Sequence, residues 1–361
     1  MASVMTSKSI QIAGGGIAGL TAAIQLKKYG FDPIVFEKDL QIGGSRHGDY
    51  EGLENWIFSQ HAPSFMDDSG FNFNAITTHP INRFLVHTQN YQPLLIQSKN
   101  PFFYMVKRGS KKDDLDNQLY RQCVDQNVQF KLGQKAPKTC HINATGTKKA
   151  AAYIQGINFS TGLKDQIHLL LGHKYAPKGY AYLIIIGGEG TLAAAFKKPK
   201  NFKMDYLKET QKYFNTKGIQ IRNGKQFASR GSFSLSFLAW KPPFQIGEAG
   251  GFQDYLFGFG IRMSIMSGRA AALSVIGEKK EARKILIQLN QKRRLSFINR
   301  ILYERLSDYQ MAVLAKKLYE SSNPLSILSG AYDWNFKNML RWINMRPVSY
   351  THLTLPTICS V

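Results

Sequence analysis

Ser9-Ile-Gln-Ile-Ala-Gly14-Gly-Gly16-Ile-Ala-Gly19-Leu20, continued at Pro33-Ile-Val-Phe-Glu37-Lys38, is the stretch that decides how this chain folds. It reads as an apolar strand, a Gly-rich turn, a helix and a second strand that ends in a carboxylate. Gly14 permits a tight turn, Gly16 lets a pyrophosphate approach the backbone, and Gly19 lets the helix pack closely on the sheet. The helix N-terminus, at Ile17 and Ala18, supplies free amides and the positive end of the dipole. An acid about 20 residues beyond such a turn can accept hydrogen bonds from ribose hydroxyls, and Glu37, followed by Lys38, stands there. A GxGxxG alone is weak. Strand, helix and acid in the right order make it a dinucleotide-binding unit.

The remaining chain is long enough for one large domain or two interlocked ones with a sizeable core: 361 residues, 43% of them hydrophobic. No run of apolar residues is long enough to span a bilayer. Residues 9–24 follow Lys8 and are apolar, which superficially resembles a signal peptide. The glycines at turn positions favour the nucleotide reading, so no secretion and a cytoplasmic chain are expected. Cys123, Cys140 and Cys359 form no CxxC, which argues against a disulfide scaffold or a dithiol redox centre. The eight histidines and Trp56 show no ligand spacing, so no metal is expected.

Charge is lopsided, with 47 Lys and Arg against 24 Asp and Glu, a formal net charge of +23. Such an excess suits a polyanionic neighbour. It is concentrated at residues 279–317, where Ile285, Leu289, Ile298 and Leu302 recur at near-helical spacing between cations. A basic amphipathic helix of this kind either packs on its own domain or lies at the inner face of a membrane. A nucleic-acid partner rests on net charge alone and is disfavoured.

Further elements follow from periodicity. Strands are expected at Tyr104–Arg108, His141–Gly146, Ile167–Leu171, Ala181–Ile186, Thr191–Phe196 and Ile219–Ile221. Helices are expected at 113–126, 204–215, 258–276 and across 278–320. The fold class is therefore α/β, with nucleotide-type elements in separated blocks and a β-rich domain between them. The expected division is a dinucleotide-binding domain from residues 1–58, 101–155 and 240–277, a substrate domain from 59–100 and 156–239, and a C-terminal helical segment at 278–347. The tail Val348–Val361 continues no pattern and looks like a translated sequencing adapter. It is expected to be non-native.

Three later motifs carry a resemblance. Gly43-Gly44-Ser-Arg46 follows the second strand, Ala144-Thr-Gly146 forms a turn, and Ile246-Gly247-Glu248-Ala-Gly-Gly251 opens another. Together with the first block they resemble the para-hydroxybenzoate hydroxylase-like flavoproteins. Within that class the chain looks most like the geranylgeranyl reductase family over about residues 8–277. The resemblance implies a FAD-binding Rossmann-like domain of this class with an inserted β-rich substrate domain. It implies that Gly44 and Arg46 lie at the FAD pyrophosphate, Gly146 and Arg108 near the cofactor, and Glu248 at the ribityl chain with Gly247 and Gly251 beside it. Glu248 stands where the family has Asp. The family's PxxYxWxFP motif is matched in part by Pro177-Lys-Gly-Tyr180-Ala-Tyr182-Leu-Ile-Ile185, with Tyr for Trp and Ile-Ile for Phe-Pro.

The resemblance further implies a FAD-dependent oxidoreductase that moves hydride to a C=C bond of an apolar, lipid or isoprenoid-type substrate; a monooxygenase on the same fold is the alternative. Halogenation is disfavoured, since no WxWxIP motif occurs. No second GxGxxG with an acid is present, so NAD(P)H or a protein electron donor is expected to visit only transiently. Tyr180 and Tyr182 share one face of their strand and, with Pro177, are the expected substrate-side residues. Asp254 and Arg262 are expected to form a structural ion pair.

Overall fold

The computed structural model describes residues 9–333 except 90, 148–151, 198–203, 222, 232–234 and 236–238, so the tail at 348–361 lies outside the described residues. In chain order the first elements are β1 (Ser9–Ala13), α1 (Ile17–Lys28), β2 (Asp32–Glu37), β3 (Tyr50–Glu54), α2 (Ala62–Asp68), β4 (His79–Ile81), β5 (Arg83–Thr88), β6 (Leu94–Gln97) and β7 (Phe103–Lys107). Next come α3 (Leu115–Asp125), β8 (Gln129–Leu132), β9 (Ile142–Asn143), β10 (Ala152–Ser160), β11 (Gln166–Leu171), β12 (Tyr180–Ile186) and β13 (Glu189–Phe196). The chain then continues through α4 (Tyr206–Thr216), β14 (Lys225–Gly231), β15 (Phe244–Gln245), α5 (Ile261–Ile276), α6 (Lys279–Tyr303), α7 (Asp308–Tyr319) and α8 (Pro324–Gly330).

Three sheets result. The first is five-stranded and parallel, in the order β15-β9-β1-β2-β8. Its interior strand β1 carries Ile10, Ile12 and Ala13 into the core, as a strand covered by helices must. The second is seven-stranded, in the order β14-β10-β13-β12-β11-β5-β6, antiparallel except where β11 meets β5. The third is a small antiparallel sheet, β3-β7-β4. Strand β10 spans the boundary expected at residue 155 and pairs with β13 from Tyr153 to Ser160. The predicted strand at Ile219–Ile221 is corrected: these residues are not extended in a sheet, and their two isoleucines instead fill the space under α4.

Two cores separate along the same lines. The larger joins the parallel sheet, α1, α5 and the small sheet; the smaller lies between the seven-stranded sheet and α4, around Leu183, Leu192 and Phe214. The C-terminal helices are started by local chemistry. Ser307 and Gln310 form a reciprocal capping box at the head of α7, and the Asn323 side chain caps α8 ahead of Pro324.

α5 crosses α1 at close range. A Cβ on Gly268 would lie 2.5 Å from the Ala18 carbonyl oxygen, so only glycine allows this approach. Arg262 fixes the start of α5. It is 1% exposed, its guanidinium lies 4.5 Å from the Phe65 ring centroid and 5.1 Å from that of Phe58, and it donates to the carbonyls of Glu54 (3.2 Å) and Gln60 (2.7 Å). Its carboxylate neighbour is Glu54 at 3.9 Å. The expected pairing with Asp254 is thus corrected. Asp254 turns instead to the amides of Leu256 and Phe257 and to the Tyr332 hydroxyl, because the loop it sits on curls around its own carboxylate.

Burial pushes Glu54 up to about 8 in spite of Arg262. The folded protein therefore keeps a proton on Glu54 that the unfolded chain gives up near 4.5, and this group erodes stability as pH rises from there to about 8. Arg262→Met removes the cation that limits the rise, so the erosion continues beyond pH 8. Urea melts are expected to show a loss of about 3 kcal/mol at neutral pH, and a larger one near pH 9.5. A loss that shrinks with increasing pH would contradict the assignment.

Candidate active site

The Gly-rich turn builds an anion-receptive corner. A Cβ on Gly14 would lie 2.5 Å from the Ala144 carbonyl oxygen, and one on Gly19 would strike the Gly14 carbonyl, so both glycines are demanded by backbone contact. Gly16 differs: nothing lies within 4 Å of where its Cβ would point. It is the N-cap of α1, makes no side-chain cap, and is followed by a first turn without acids. The amides there are left for a ligand. Glu37, from the end of β2, accepts from the amides of Gly15 (2.8 Å) and Asp39 (3.1 Å), which locks the carboxylate beside the turn.

A cavity of about 910 Å³ begins at this corner. Gly16, Ile17 and Ala18 line one end, facing Ala144 and Gly146; Gly247 and Glu248 follow on the neighbouring turn. Gly260 and Ile261 bring a second helix start, that of α5, to the same space, again with no side-chain cap and no acid in the first turn. Gln253 lines the cavity with its amide nitrogen buried and without a protein hydrogen-bond partner. It is a donor whose acceptor has to come from a ligand.

The opposite wall is apolar and aromatic. Phe84, Phe103, Ile167, Leu169 and Ile184 line it together with Tyr180 and Tyr182, whose ring centroids are 6.1 Å apart. The Tyr180 hydroxyl donates to the Phe257 carbonyl, tying β12 to the loop before α5. Burial pushes both phenols well above their usual range, so both stay neutral. The cavity ends at Lys317, Ser322, Asn323 and Ser326, around the α7–α8 turn.

Charged groups collect on one stretch of wall. Arg108 is 3% exposed and holds Asp116 through two nitrogens at 2.8 and 2.9 Å, and Glu51 at 2.5 Å. Arg46 reaches Glu51 at 3.7 Å. Burial opposes ionisation of Asp116, but the charge and hydrogen bonds of Arg108 outweigh it and hold the carboxyl below its usual range. Asp49, 9% exposed, lines the same wall and is pushed up to about 6, by burial first and then by the charge of Glu51.

Of the residues singled out from sequence, the structure brings Gly16, Ile17, Ala18, Arg46, Arg108, Gly146, Tyr180, Tyr182, Gly247 and Glu248 around one cavity. Gly14 and Gly19 stand behind it as supports, and Glu37 lies beside the Gly-rich turn, outside the lining. Lys38 is exposed and pairs with Asp39 at 3.5 Å. Gly44 sits in an exposed turn, where its amide donates to Gln41. Gly251 is buried, its carbonyl accepting from Arg293. Pro177 lies outside the lining, with its carbonyl accepting from Lys197. Sequence reading missed Asp49, Gln253 and the 317–326 end. Asp49 precedes a short strand, Tyr50–Glu54, whose residues do not alternate between buried and exposed, so neither it nor the C-terminal lining carries a sequence signal.

Residues 12–71 match the family of NAD(P)-binding Rossmann-like domains. Compared with curated proteins by sequence, the chain has no match. Among solved structures it is similar to a geranylgeranyl bacteriochlorophyll reductase-like protein from Thermoplasma acidophilum, at 18% identity and a TM-score of 0.67, covering 93% of this chain and 95% of the other. It is also similar to p-nitrophenol 4-monooxygenase PnpA from Pseudomonas putida, at 12% identity and a TM-score of 0.59, covering 95% and 99%. A third similar structure is CtdE in complex with FAD and a substrate, at 14% identity and a TM-score of 0.55, covering 87% and 91%. The chain therefore has the α/β fold of FAD-dependent oxidoreductases, with a Rossmann-like nucleotide-binding domain.

Two substitutions three residues apart separate the site from the scaffold. Gly16→Val, pointing into open space at a backbone φ of −74°, is expected to change stability by less than about 0.5 kcal/mol. It should nevertheless weaken dinucleotide binding about a hundredfold, because the side chain occupies the approach to the amides. Gly19→Val forces α1 off the Gly14 carbonyl and should cost about 3 kcal/mol. Urea titration alongside cofactor titration checks both, and equal destabilisation by the two would refute this division of roles.

Proposed function

We propose that this chain is a FAD-dependent oxidoreductase that adds hydride and a proton across a C=C bond of an apolar, isoprenoid-type substrate. The observation that carries the reading is the continuity of one cavity. Two uncapped helix starts at one end suit a diphosphate and a polar ring system, and a wall of aliphatic and aromatic side chains suits a polyene chain. The residues present fit FAD. Gly16, Ile17 and Ala18 would hold the diphosphate, Glu37 the adenosine ribose, and Gly247, Glu248 and Gln253 the flavin half. When bound, FAD supplies the hydride chemistry.

The chain's own residues supply the rest. Tyr180 and Tyr182 give a neutral wall against which a hydrocarbon chain can lie. Asp49, on the same wall, is partly protonated near neutral pH because burial raises it to about 6. That makes it the acid placed to deliver the proton and regain one from solvent. The buried ion pairs of Arg108 with Asp116 and Glu51 keep this stretch rigid.

The monooxygenase reading stands on the same fold, supported by the coverage of p-nitrophenol 4-monooxygenase. The two readings part at the product. Purified protein is expected to be yellow and to release FAD on denaturation. Anaerobic reduction by NADPH, NADH or reduced ferredoxin, then incubation with a cellular lipid extract, should give a product heavier by two hydrogens. Oxygen-dependent gain of one oxygen atom would shift the reading to monooxygenation, and a colourless protein that takes up no FAD would end both. In Asp49→Asn, turnover should fall at least tenfold, and the pH dependence near pH 6 should vanish while FAD binding is kept.

A further inference from the structure

The solvent face of α6 carries a pattern that the cavity does not use. Residues three and four apart share a helix face, and Arg283, Ile287, Gln291, Arg294, Ile298 and Ile301 all fall on one exposed arc. Ile287 is 59% exposed, Ile298 42% and Ile301 40%. The stripe runs about 27 Å along the helix at the usual rise per residue. This is not the packing face: Ala282, Leu289 and Tyr303 point the other way and are buried. Lys280 and Lys284 extend the stripe toward the helix start, Lys284 being paired with Glu281 at 2.7 Å. No acid interrupts the arc itself.

An exposed isoleucine is ordinary; three in line with two arginines on one helix face are not. We propose that this face of α6 docks the protein on an anionic lipid surface, its arginines on headgroup phosphates and its isoleucines in the acyl boundary. Interfacial helices combine cations with apolar side chains in this way. Charge complementarity selects the occupant. A second copy of the chain would bring the same patch against itself in a two-fold contact, setting cation against cation. A single-stranded nucleic acid is bound by cations and stacking aromatic rings, whereas the apolar members here are branched aliphatics. The chain's net charge of +23 adds long-range attraction to the same surface. The surface does not depend on what chemistry the cavity performs.

Sedimentation of the full chain with vesicles tests this directly. Binding is expected to vesicles of phosphatidylcholine with about a third phosphatidylglycerol, to weaken with added salt, and to be absent with phosphatidylcholine alone. Replacing Ile287, Ile298 and Ile301 together by Asp should lower the partition coefficient at least tenfold. Arg283→Gln and Arg294→Gln should each lower it about fivefold, while Lys164→Gln, exposed on another part of the molecule, changes it less than twofold. Should the triple variant fail to fold, Ile298→Trp gives a second readout, its emission shifting to the blue on anionic vesicles and quenched by brominated lipid. Failure to bind anionic vesicles, or binding indifferent to the isoleucines, overturns the proposal. So does loss of self-association or of RNA binding, in place of vesicle binding, in the stripe variants.

Discussion

Backbone-on-backbone contact at α1 is the constraint on which the rest depends. The helix is buried from Ile17 through Leu26 and is pressed from both sides, by the Gly14 turn beneath Gly19 and by α5 where Gly268 meets Ala18. With no side chain to separate them, the start of α1 and the start of α5 come to the same space. Both are left without caps. An uncapped helix start is costly unless something else satisfies it. Close packing thus fixes where the cavity is and also what kind of ligand it can accept.

The parts of this arrangement that depend on near neighbours were readable from sequence. The β1–α1–β2 unit came from glycine spacing and an acid, and α3 and α4 from apolar residues at helical period. Tyr180 and Tyr182 share a face because a strand alternates, and their rings do meet in the cavity wall. What depends on distant partners was not readable. Strand β8 joins the edge of the parallel sheet beside β2; its Gln129-Phe130-Lys131-Leu132 alternates polar and apolar, but so short a run does not reveal which strand it pairs with. Asp254 and Arg262 looked like a pair because they are close in sequence. The structure separates them, since one serves its own loop and the other reaches Glu54 and the carbonyls around α2. The far end of the cavity is built from residues 317–326, whose composition says nothing of a site.

The basic excess of the chain is divided between two quite different tasks. Arg108, Arg262, Arg293 and Arg300 are buried, and their guanidiniums are spent on backbone carbonyls and on carboxylates that would otherwise be stranded. Such cations organise the interior, and where carboxylates face them, as Asp116 and Glu51 face Arg108, the charges offset each other locally. Arg283 and Arg294 on α6 remain at the surface. Net charge alone therefore does not say which face is positive, and the placement of cations along α6 says more than the total.

Tyr332 has a consequence for how the protein is made. Its hydroxyl donates to Asp254 at 2.9 Å, its carbonyl accepts from Lys292 at 3.0 Å, and the neighbouring Ala331 carbonyl accepts from Asn299. The loop that lies across the cavity is thus completed by residues synthesised long after it. During translation the β1–α1–β2 unit leaves the ribosome first, but its neighbours β9 and α5 follow only much later. The cavity wall around Asp254 has to wait for the segment after α8. Both ends of the site are therefore completed late, the nucleotide end by Gly247, Glu248 and the start of α5, and the loop around Asp254 by Tyr332.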